Sequence, residues 1–374
     1  MRQLRVALIG GGGFMGYAHS NAYELATLDT DIPARLVKQV LVEPDAERGA
    51  TAAERLDWRE SATDWRRVIE RDDIDIVAIV TPPDSHAEIA IAAMRAGKHV
   101  LCEKPLANDA DEAEDMWRVA TEEGVVNQVG HNYRHTPALG YLKRLLSDGT
   151  LGRPLQLRIS YLSEGGFDGP MFGWRGRRST GGSGMSGDLG SHIIDIAVYL
   201  MGDIARVSGR LVQDGRVMPA EHTDDLDNAG LFLAEFAEGG LATFSYSVQS
   251  WRHYNHIRLE LDAETGAAIF DWGARDQIQI ALAADDTDAA GFRTVHLGPE
   301  HPDSWWRVTG LGTGYLEPAV NQVRRFLRAI LDGGSSHPNF GEAAHVQRVV
   351  RALDESSSSG RWVEVAPRDR AAIA

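Results

Sequence analysis

The chain opens with a short apolar segment that runs directly into four consecutive glycines, and this junction constrains the fold more than any other feature. Residues 4–9 read as a strand, residues 10–13 are all glycine, and a helical pattern follows. Gly11, Gly13 and Gly16 stand in the order G-x-G-x-x-G. Glycine at these positions lets the backbone turn tightly and approach a pyrophosphate, which the N-terminus of the next helix then faces. The junction therefore predicts a dinucleotide-binding strand, loop and helix.

Short apolar strands and helical patterns alternate through the first 129 residues. The strand patterns occupy residues 4–9, 36–42, 74–80, 99–102 and 125–129, with helical patterns between them. Strict alternation of this kind is typical of a parallel sheet covered by helices on both faces. We therefore expect an α/β fold whose dinucleotide-binding domain spans residues 1–129.

The pattern changes after residue 129. Runs of alternating polar and apolar residues, separated by Gly and Asp turns, extend from about residue 152 to 283 and predict an antiparallel sheet. Helices and a last strand are expected at residues 187–200, 316–331, 342–354 and 362–365. The four serines at 356–359, followed by Gly360, read as a surface loop. Because 374 residues suffice for two hydrophobic cores, we assign residues 130–374 to a second domain.

Charge and composition exclude several classes of partner. Acidic residues outnumber basic ones 54 to 38, a net charge of -16, and no block rich in Lys and Arg is present, so nucleic acid is not an expected partner. No apolar stretch reaches the length of about 18 residues that would span a bilayer, and no signal peptide is recognisable. The single cysteine, Cys102, is compatible with a reducing cytoplasm.

Glu43 directly follows the second predicted strand, where its carboxylate can accept hydrogen bonds from the adenosine ribose. A carboxylate there favours NAD over NADP, because it repels a 2′-phosphate. Arg48 is close enough in sequence to leave NADP open, and Glu43 can also be an ordinary solvated carboxylate. Thr81 and Pro82 end the third strand, at the sheet edge where parallel sheets bind ligands, although a purely structural turn explains them as well.

Lys104 follows the fourth strand, again at the carboxyl edge of the sheet. Its ammonium group can hydrogen-bond a substrate hydroxyl and stabilise a developing alkoxide, although a lysine at the end of a strand is commonly just solvated. A second cluster contains Asp188, His192 and Asp195, which share one face if the segment is an α-helix. Two carboxylates flanking one imidazole can orient it as a general base. A buried histidine, a helix cap formed by Asp188 and a divalent metal site remain alternatives, the metal site being the weaker.

In these residues the chain resembles the Gfo/Idh/MocA family of oxidoreductases. The motifs that carry the resemblance are the glycine loop, Thr81-Pro82 through His86, residues 96–100 leading into Glu103-Lys104-Pro105, and Asp188-x-x-x-His192. Residues 132–137, 173–175, 291–295 and 312–315 further resemble the branch of levoglucosan and related sugar dehydrogenases. The resemblance covers almost the whole chain, and the order and spacing of the motifs together make it specific.

The resemblance implies a Rossmann domain followed by an α+β domain with a large, mostly antiparallel open sheet that builds a homodimer or homotetramer. It implies hydride transfer between NAD or NADP and a hydroxyl-bearing carbon of a sugar, anhydrosugar or cyclitol. His192 would take the hydroxyl proton, Asp188 would hold the imidazole or a sugar hydroxyl, and Lys104 would polarise the reacting oxygen.

The expected contacts follow from the same resemblance and from the residue types. Cofactor contacts are expected from Gly11, Gly13, Phe14, Met15, Gly16, Glu43, Thr81, Pro82, His86, Glu103, Lys104 and Asn132. Substrate contacts are expected from Lys104, Tyr133, Arg134, Trp174, Arg175, Asp188 and His192. An aromatic face suits the C–H surface of a sugar ring, and arginine suits its hydroxyls; burial of Trp174 between domains is the competing explanation.

Two other functions remain open at this point. An NAD-dependent glycosidase of the same architecture would use the cofactor without net redox change, and a regulator would sense NAD or sugar without catalysis. Lys104, Asp188 and His192 are all present, which favours catalysis over sensing.

Overall fold

A computed structural model of the chain describes residues 2–28, 31–165, 173–213, 226–285, 288, 290–304 and 306–368. They divide into two units. The first contains the described residues of Met1–Asn132 and Tyr315–Ala344, and the second contains those of Tyr133–Gly314 and His345–Arg368.

The first unit is built on a six-stranded sheet with the strand order β3-β2-β1-β4-β5-β6, in which neighbouring strands are parallel. Its strands are β1 (Arg2–Ile9), β2 (Ala34–Val42), β3 (Glu60–Ala62), β4 (Ile76–Ile79), β5 (His99–Cys102) and β6 (Asn127–Val129). The helices between them are α1 (Phe14–Thr27), α2 (Ala46–Arg55), α3 (Trp65–Ile69), α4 (His86–Arg95) and α5 (Ala110–Glu123). The predicted parallel sheet with interleaved helices is confirmed.

Local chemistry explains where these elements begin and end. β4 is buried along its whole length, which is why it reads as an unbroken apolar run. α5 is capped at its N-terminus by Asp109, whose carboxylate accepts the backbone N–H of Asp111 and Glu112, and at its C-terminus by Gly124 in a left-handed conformation with φ of 62°. β3 and α3 were not predicted, because elements of three and five residues are too short to show a hydrophobic period.

A late helix completes the first unit. α9 (Glu317–Asp332) packs on α1, and the ring of Tyr315 lies 6.1 Å from that of Phe14. The helix was predicted at residues 316–331, but the boundary expected after residue 129 left it in the second domain. Hydrophobic periodicity identifies a buried face without identifying the surface that covers it.

The second unit is built on a nine-stranded sheet with the order β14-β13-β12-β11-β7-β10-β9-β8-β15. Its strands are β7 (Pro154–Leu162), β8 (Ile204–Val212), β9 (Ala229–Phe236), β10 (Leu241–Ser247), β11 (His256–Ala263), β12 (Gly266–Asp271), β13 (Gln277–Leu282), β14 (Arg293–His296) and β15 (Val363–Glu364). β7 and β10 are parallel, and the other neighbours are antiparallel. The expected large, mostly antiparallel sheet is therefore confirmed.

Helices of the second unit include α6 (Pro137–Ser147), α7 (Arg178–Gly181) and α8 (Ser191–Met201), and a π-helical turn, Ser186–Gly190, leads directly into α8. None of the helices in the described part of the chain is long and apolar enough to cross a bilayer.

The serine-rich segment is helical, which corrects the predicted loop. α10 (Phe340–Ser359) continues through all four serines and ends before Gly360, whose φ is 68°. The hydroxyls of Ser356 and Ser357 accept the backbone N–H of Gly209 and Leu211 on β8, at 3.1 and 2.9 Å. Because these tertiary hydrogen bonds use the serine hydroxyls, the low helix propensity of serine does not end the helix.

Candidate functional site

The glycine loop between β1 and α1 is crowded by protein atoms at most positions but open at one. A Cβ added at Gly12 would lie 2.6 Å from the carboxylate of Glu43, and one added at Gly16 would lie 2.0 Å from the carbonyl oxygen of Gly11. At Gly13 the nearest atom would be a guanidinium nitrogen of Arg48, 3.7 Å away. Gly13 precedes α1 in an extended conformation and offers no side-chain cap. The space at Gly13 and the uncapped helix terminus fit a phosphate group.

Glu43 lies at the end of β2, directly beside this loop. Its carboxylate accepts the backbone N–H of Gly12 at 3.1 Å, and a guanidinium nitrogen of Arg48 lies 4.0 Å from its other oxygen. An adjoining cleft of about 760 Å³ is lined by Gly11, Gly12, Gly13, Phe14, Tyr17, Asp45, Glu47, Arg48, Thr51, Ala52, Arg55 and Leu56. The loop, the acidic strand end and the cleft together fit the adenosine half of NAD.

His86 is buried beneath the expected cofactor edge rather than exposed on it. Its two ring nitrogens face the carbonyl oxygens of Thr81 and Pro105, at 2.9 and 3.0 Å, and its side chain has no exposed surface. Burial lowers the pKa of His86, although both carbonyls favour the protonated ring. This corrects the expected direct cofactor contact of His86: it ties the Thr81-Pro82 turn to the segment that follows Lys104.

Glu103 belongs to a buried polar chain that reaches back to α1. The Nε2 of His19 lies 2.8 Å from one oxygen of its carboxylate. The other oxygen accepts the backbone N–H of Lys104 at 3.2 Å. The other ring nitrogen of His19 lies 2.9 Å from the hydroxyl of Tyr23. Burial alone would raise the pKa of the Glu103 carboxyl, but the hydrogen bond from His19 and the charge of Lys104 hold it below its usual value. An ionised carboxylate therefore lies next to Lys104.

Asp188 lies within the π-helical turn rather than on a regular α-helix, so the spacing argument that placed it on one face with His192 and Asp195 does not apply. Its carboxylate accepts a hydrogen bond from the guanidinium of Arg175 at 3.1 Å. That guanidinium also lies over the ring of Trp174, 4.3 Å from its centroid. Trp174 and Arg175 are both half-buried. The glycine-rich segment before α8 thus brings three of the predicted substrate residues together.

His192 follows on the first turn of α8 and is packed against an aromatic ring. Its imidazole stacks on Tyr133, with ring centroids 4.3 Å apart and planes 22° apart. The residue His192 is 5% exposed and Tyr133 is 4% exposed. Tyr133 was expected to contact the substrate, and the structure shows it in contact with His192.

Arg134 and Asp195 form a buried ion pair, which corrects two predictions. The Nε of Arg134 donates to the carboxylate of Asp195 at 2.8 Å, and both side chains are almost completely buried. Arg134 was expected to bind a sugar, but its guanidinium is 2% exposed and is paired with Asp195. Asp195 was expected to flank His192, and the structure shows it paired with Arg134.

The predicted site residues are divided between the two units. The glycine loop, Glu43, Thr81, Pro82, His86, Glu103, Lys104 and Asn132 belong to the first unit; Asn132 is buried just beyond β6. Tyr133, Arg134, Trp174, Arg175, Asp188 and His192 belong to the second. No group of three or more potential metal-ligating side chains is found in the part of the chain that the structure describes.

Sequence reasoning missed one buried carboxylate that borders the Asp188 turn. Asp227 accepts hydrogen bonds from the hydroxyls of Tyr246, at 2.7 Å, and Ser186, at 3.2 Å. Burial raises its pKa to about 7, and the two hydroxyls oppose that rise. It lies 41 residues from Ser186 and shows no motif, so only the fold reveals the contact.

Comparisons with known proteins cover nearly the whole chain. Residues 4–131 match the profile of the Gfo/Idh/MocA oxidoreductases, described as an NAD-binding Rossmann fold, and residues 140–269 match the profile of the Gfo/Idh/MocA C-terminal domain. The levoglucosan dehydrogenase of Pseudarthrobacter phenanthrenivorans is 37% identical over 98% of this chain and 99% of that protein. Inositol 2-dehydrogenase 4 of Saccharopolyspora erythraea is 32% identical over 71% of this chain and 73% of that one.

Solved structures show the same similarity. Levoglucosan dehydrogenase in complex with NADH and levoglucosan matches with a TM-score of 0.94 and 37% identity, over 98% of this chain and 100% of that chain.

Proposed function

This chain belongs to the Gfo/Idh/MocA family of NAD-binding oxidoreductases, and from that premise we propose that it is a dehydrogenase whose substrate is an anhydrosugar such as levoglucosan. It transfers a hydride between NAD and a hydroxyl-bearing carbon of a sugar or cyclitol. The observation that carries the finer proposal is the 37% identity, over nearly the full length of both chains, to levoglucosan dehydrogenase. A solved complex of that protein contains NADH and levoglucosan.

NAD, when bound, supplies the acceptor for the hydride that leaves the substrate carbon. In the proposal, the glycine loop holds its pyrophosphate and the carboxylate of Glu43 accepts hydrogen bonds from its adenosine ribose. A 2′-phosphate would bring negative charge next to that carboxylate, which supports NAD over NADP. Thr81, Pro82 and Glu103 complete the contacts along the sheet edge.

The proton of the substrate hydroxyl goes to His192 in this proposal. The ammonium group of Lys104 donates a hydrogen bond to the same oxygen and stabilises the negative charge that develops on it. The carboxylate of Glu103 lies beside this lysine and accepts its backbone N–H at 3.2 Å, which fixes where the Lys104 segment begins. Asp188, paired with Arg175, orients a sugar hydroxyl or the imidazole.

Trp174 and Arg175 are the proposed sugar contacts of the second unit. The guanidinium of Arg175 lies over the ring of Trp174, and both side chains are half-buried. Together they present an apolar ring surface and hydrogen-bond donors next to Asp188. This combination suits the C–H face and the hydroxyls of a rigid sugar ring. A cytoplasmic location belongs to the same proposal, since the single cysteine is compatible with a reducing compartment.

The substrate proposal is tested by incubating the purified protein with NAD and, separately, with NADP in the presence of levoglucosan, monosaccharides, inositols and aryl glycosides. We expect absorbance at 340 nm to rise with NAD and levoglucosan, with one NADH formed per molecule of sugar oxidised. Release of an aglycone from a glycoside without NADH accumulation would favour the glycosidase instead. Binding of NAD or sugar without either reaction would favour a sensor.

The proposed roles of Lys104 and His192 are tested by replacing each with alanine. Lys104→Ala and His192→Ala should each lose most of the turnover, at least about a hundredfold, because each loses a proton acceptor or a charge-stabilising donor. Both should still bind NADH, measured by its fluorescence. His296→Ala, which removes an exposed histidine on β14, is the matched control and should retain normal turnover. Near-normal rates in either test variant would remove that residue from the mechanism.

A further inference from the structure

The side chains around His192 form a tightly connected group within the second unit. Tyr133 stacks on the imidazole, and the ring of Tyr161 lies 6.0 Å from it. Trp272 lies 4.6 Å from the ring of Tyr133. The plane of the imidazole therefore depends on where the ring of Tyr133 is held.

Asn255 connects the two tyrosine hydroxyls. Its Nδ2 donates to the hydroxyl of Tyr133 at 3.2 Å, and the hydroxyl of Tyr161 donates to its Oδ1. The two hydroxyls also lie 3.3 Å from each other. Both tyrosines are buried, so their hydroxyls need protein partners, and an amide offers a donor and an acceptor in one group.

The backbone of Asn255 adds a second observation. It lies in the loop between β10 and β11 with φ of 53°, in the left-handed region that L-residues rarely adopt. Arg252 in the same loop has φ of 63°. Asparagine tolerates this conformation better than most residues, so the turn alone could explain its presence. The hydrogen bonds of the Asn255 amide to the two tyrosine hydroxyls give a different reason for an asparagine here. A variant that keeps the left-handed turn and removes the amide distinguishes the two reasons.

We propose that Asn255 is a positioning residue for the reaction: through the hydroxyls of Tyr133 and Tyr161 it fixes the ring of Tyr133, and through that ring it holds the His192 imidazole in the orientation needed for proton transfer. The inference rests on the proposed function of His192. Asn255 does not itself act on the substrate. Its effect is to keep a proton acceptor aligned, and small misalignments of such groups lower turnover strongly.

The decisive variant is Asn255→Gly, because glycine keeps the left-handed backbone and removes only the amide. Arg252→Gly makes the same replacement in the same loop and is the matched control. The Arg252 side chain bonds Tyr254, and its backbone N–H bonds Glu164. We expect Asn255→Gly to lower kcat at least about tenfold while the KM for NAD changes less than about twofold. Arg252→Gly should show wild-type values of both.

A kcat for Asn255→Gly equal to that of Arg252→Gly would show that the residue serves the turn alone, and the proposal would be overturned. Thermal unfolding followed by circular dichroism should give the same Tm for the two variants within a few degrees, which separates a kinetic effect from loss of fold.

A second readout does not require turnover. With histidine labelled by ¹³C in its ring, the signals of His192 are identified among the 13 histidines by their loss in His192→Gln. Stacking on Tyr133 displaces those signals through the ring current, so we expect them to move in Asn255→Gly and to stay in place in Arg252→Gly. Unchanged His192 signals in Asn255→Gly would overturn the proposal. If the wild-type protein oxidises no sugar, the proposed function fails, and this measurement still decides whether Asn255 holds the imidazole.

Discussion

At the scale of single residues, Gly13 differs from its neighbours because no protein atom requires it to be glycine. Its backbone is extended and its nearest contact would be 3.7 Å from a Cβ. Gly13→Ala should therefore fold with an unchanged Tm, while the added methyl group occupies space that a pyrophosphate would use. We expect the KM for NAD to rise about tenfold or more, with little change in kcat at saturating NAD.

The control for this prediction is Gly334→Ala, since Gly334 also has open space around a Cβ and lies outside the loop. It should bind NAD normally. Normal NAD binding by Gly13→Ala, measured by titration calorimetry, would place the phosphates elsewhere in the cleft.

Candidate site residues can be predicted from the sequence where they belong to a short local motif. The glycine loop, Glu43 and Lys104 were all predicted from the ends of strands. Arg134 and Asn255 show why other roles could not be predicted: Arg134 pairs with Asp195 at a separation of 61 residues, and Asn255 bonds Tyr133 at a separation of 122. Burial and long-range pairing are set by the tertiary fold, and no local pattern in one sequence reports them.

At the scale of elements, regular hydrophobic patterns gave the most accurate bounds. The strand predicted at residues 99–102 matches β5, and the helix predicted at 316–331 is α9 within one residue at each end. The irregular elements were not predicted. The π-helical turn at Ser186–Gly190 has no period of its own, and its position depends on contacts with β9 and β10.

Asp227 anchors that turn to β10, and its titration gives a prediction for stability. The pKa of a carboxyl near 7 in the folded protein, against about 3.9 when unfolded, means that the folded state retains the proton longer. The contribution of Asp227 to stability is therefore largest below the unfolded pKa and falls as the pH rises toward 7, by about 1.4 kcal/mol per pH unit. Above about pH 7 this contribution is constant.

Asp227→Asn carries no titrating group, so we expect the stability of the variant relative to wild type to improve as the pH is raised from 5 to 7 and then to level off. Urea unfolding followed by circular dichroism at several pH values measures the difference. Parallel stability profiles for the two proteins would show that Asp227 titrates at an ordinary pH.

At the scale of the whole molecule, the nine-stranded sheet exposes apolar side chains on one face. Leu231, Leu233 and Leu241 are 62%, 47% and 53% exposed, and the pairing of β9 with β10 places them on the same face. Exposed apolar residues that adjoin one another mark interaction surfaces. We therefore propose that the chain forms a homodimer or homotetramer through this face of the sheet.

Leu233→Glu should weaken that assembly, because each copy would bring a charge into an apolar contact. We expect light scattering after size-exclusion chromatography to give a lower mass for the variant than for wild type. Leu28→Glu changes a leucine of similar exposure on the first unit and should leave the mass unchanged. An identical mass for Leu233→Glu and wild type would mean that assembly, if any, uses another surface.

α9 belongs to the first unit although it follows most of the second unit in sequence, and this order affects how the chain folds during translation. A domain at the N-terminus ordinarily folds as soon as it has left the ribosome. Here the cofactor-binding unit lacks the helix that covers α1 until residues up to Asp332 have emerged, and by then nearly all of the second unit has been translated. The nascent chain therefore carries an incomplete nucleotide-binding unit until the second unit is almost finished, and a chain that stops before residue 317 would lack both α9 and residues 345–368 of the second unit.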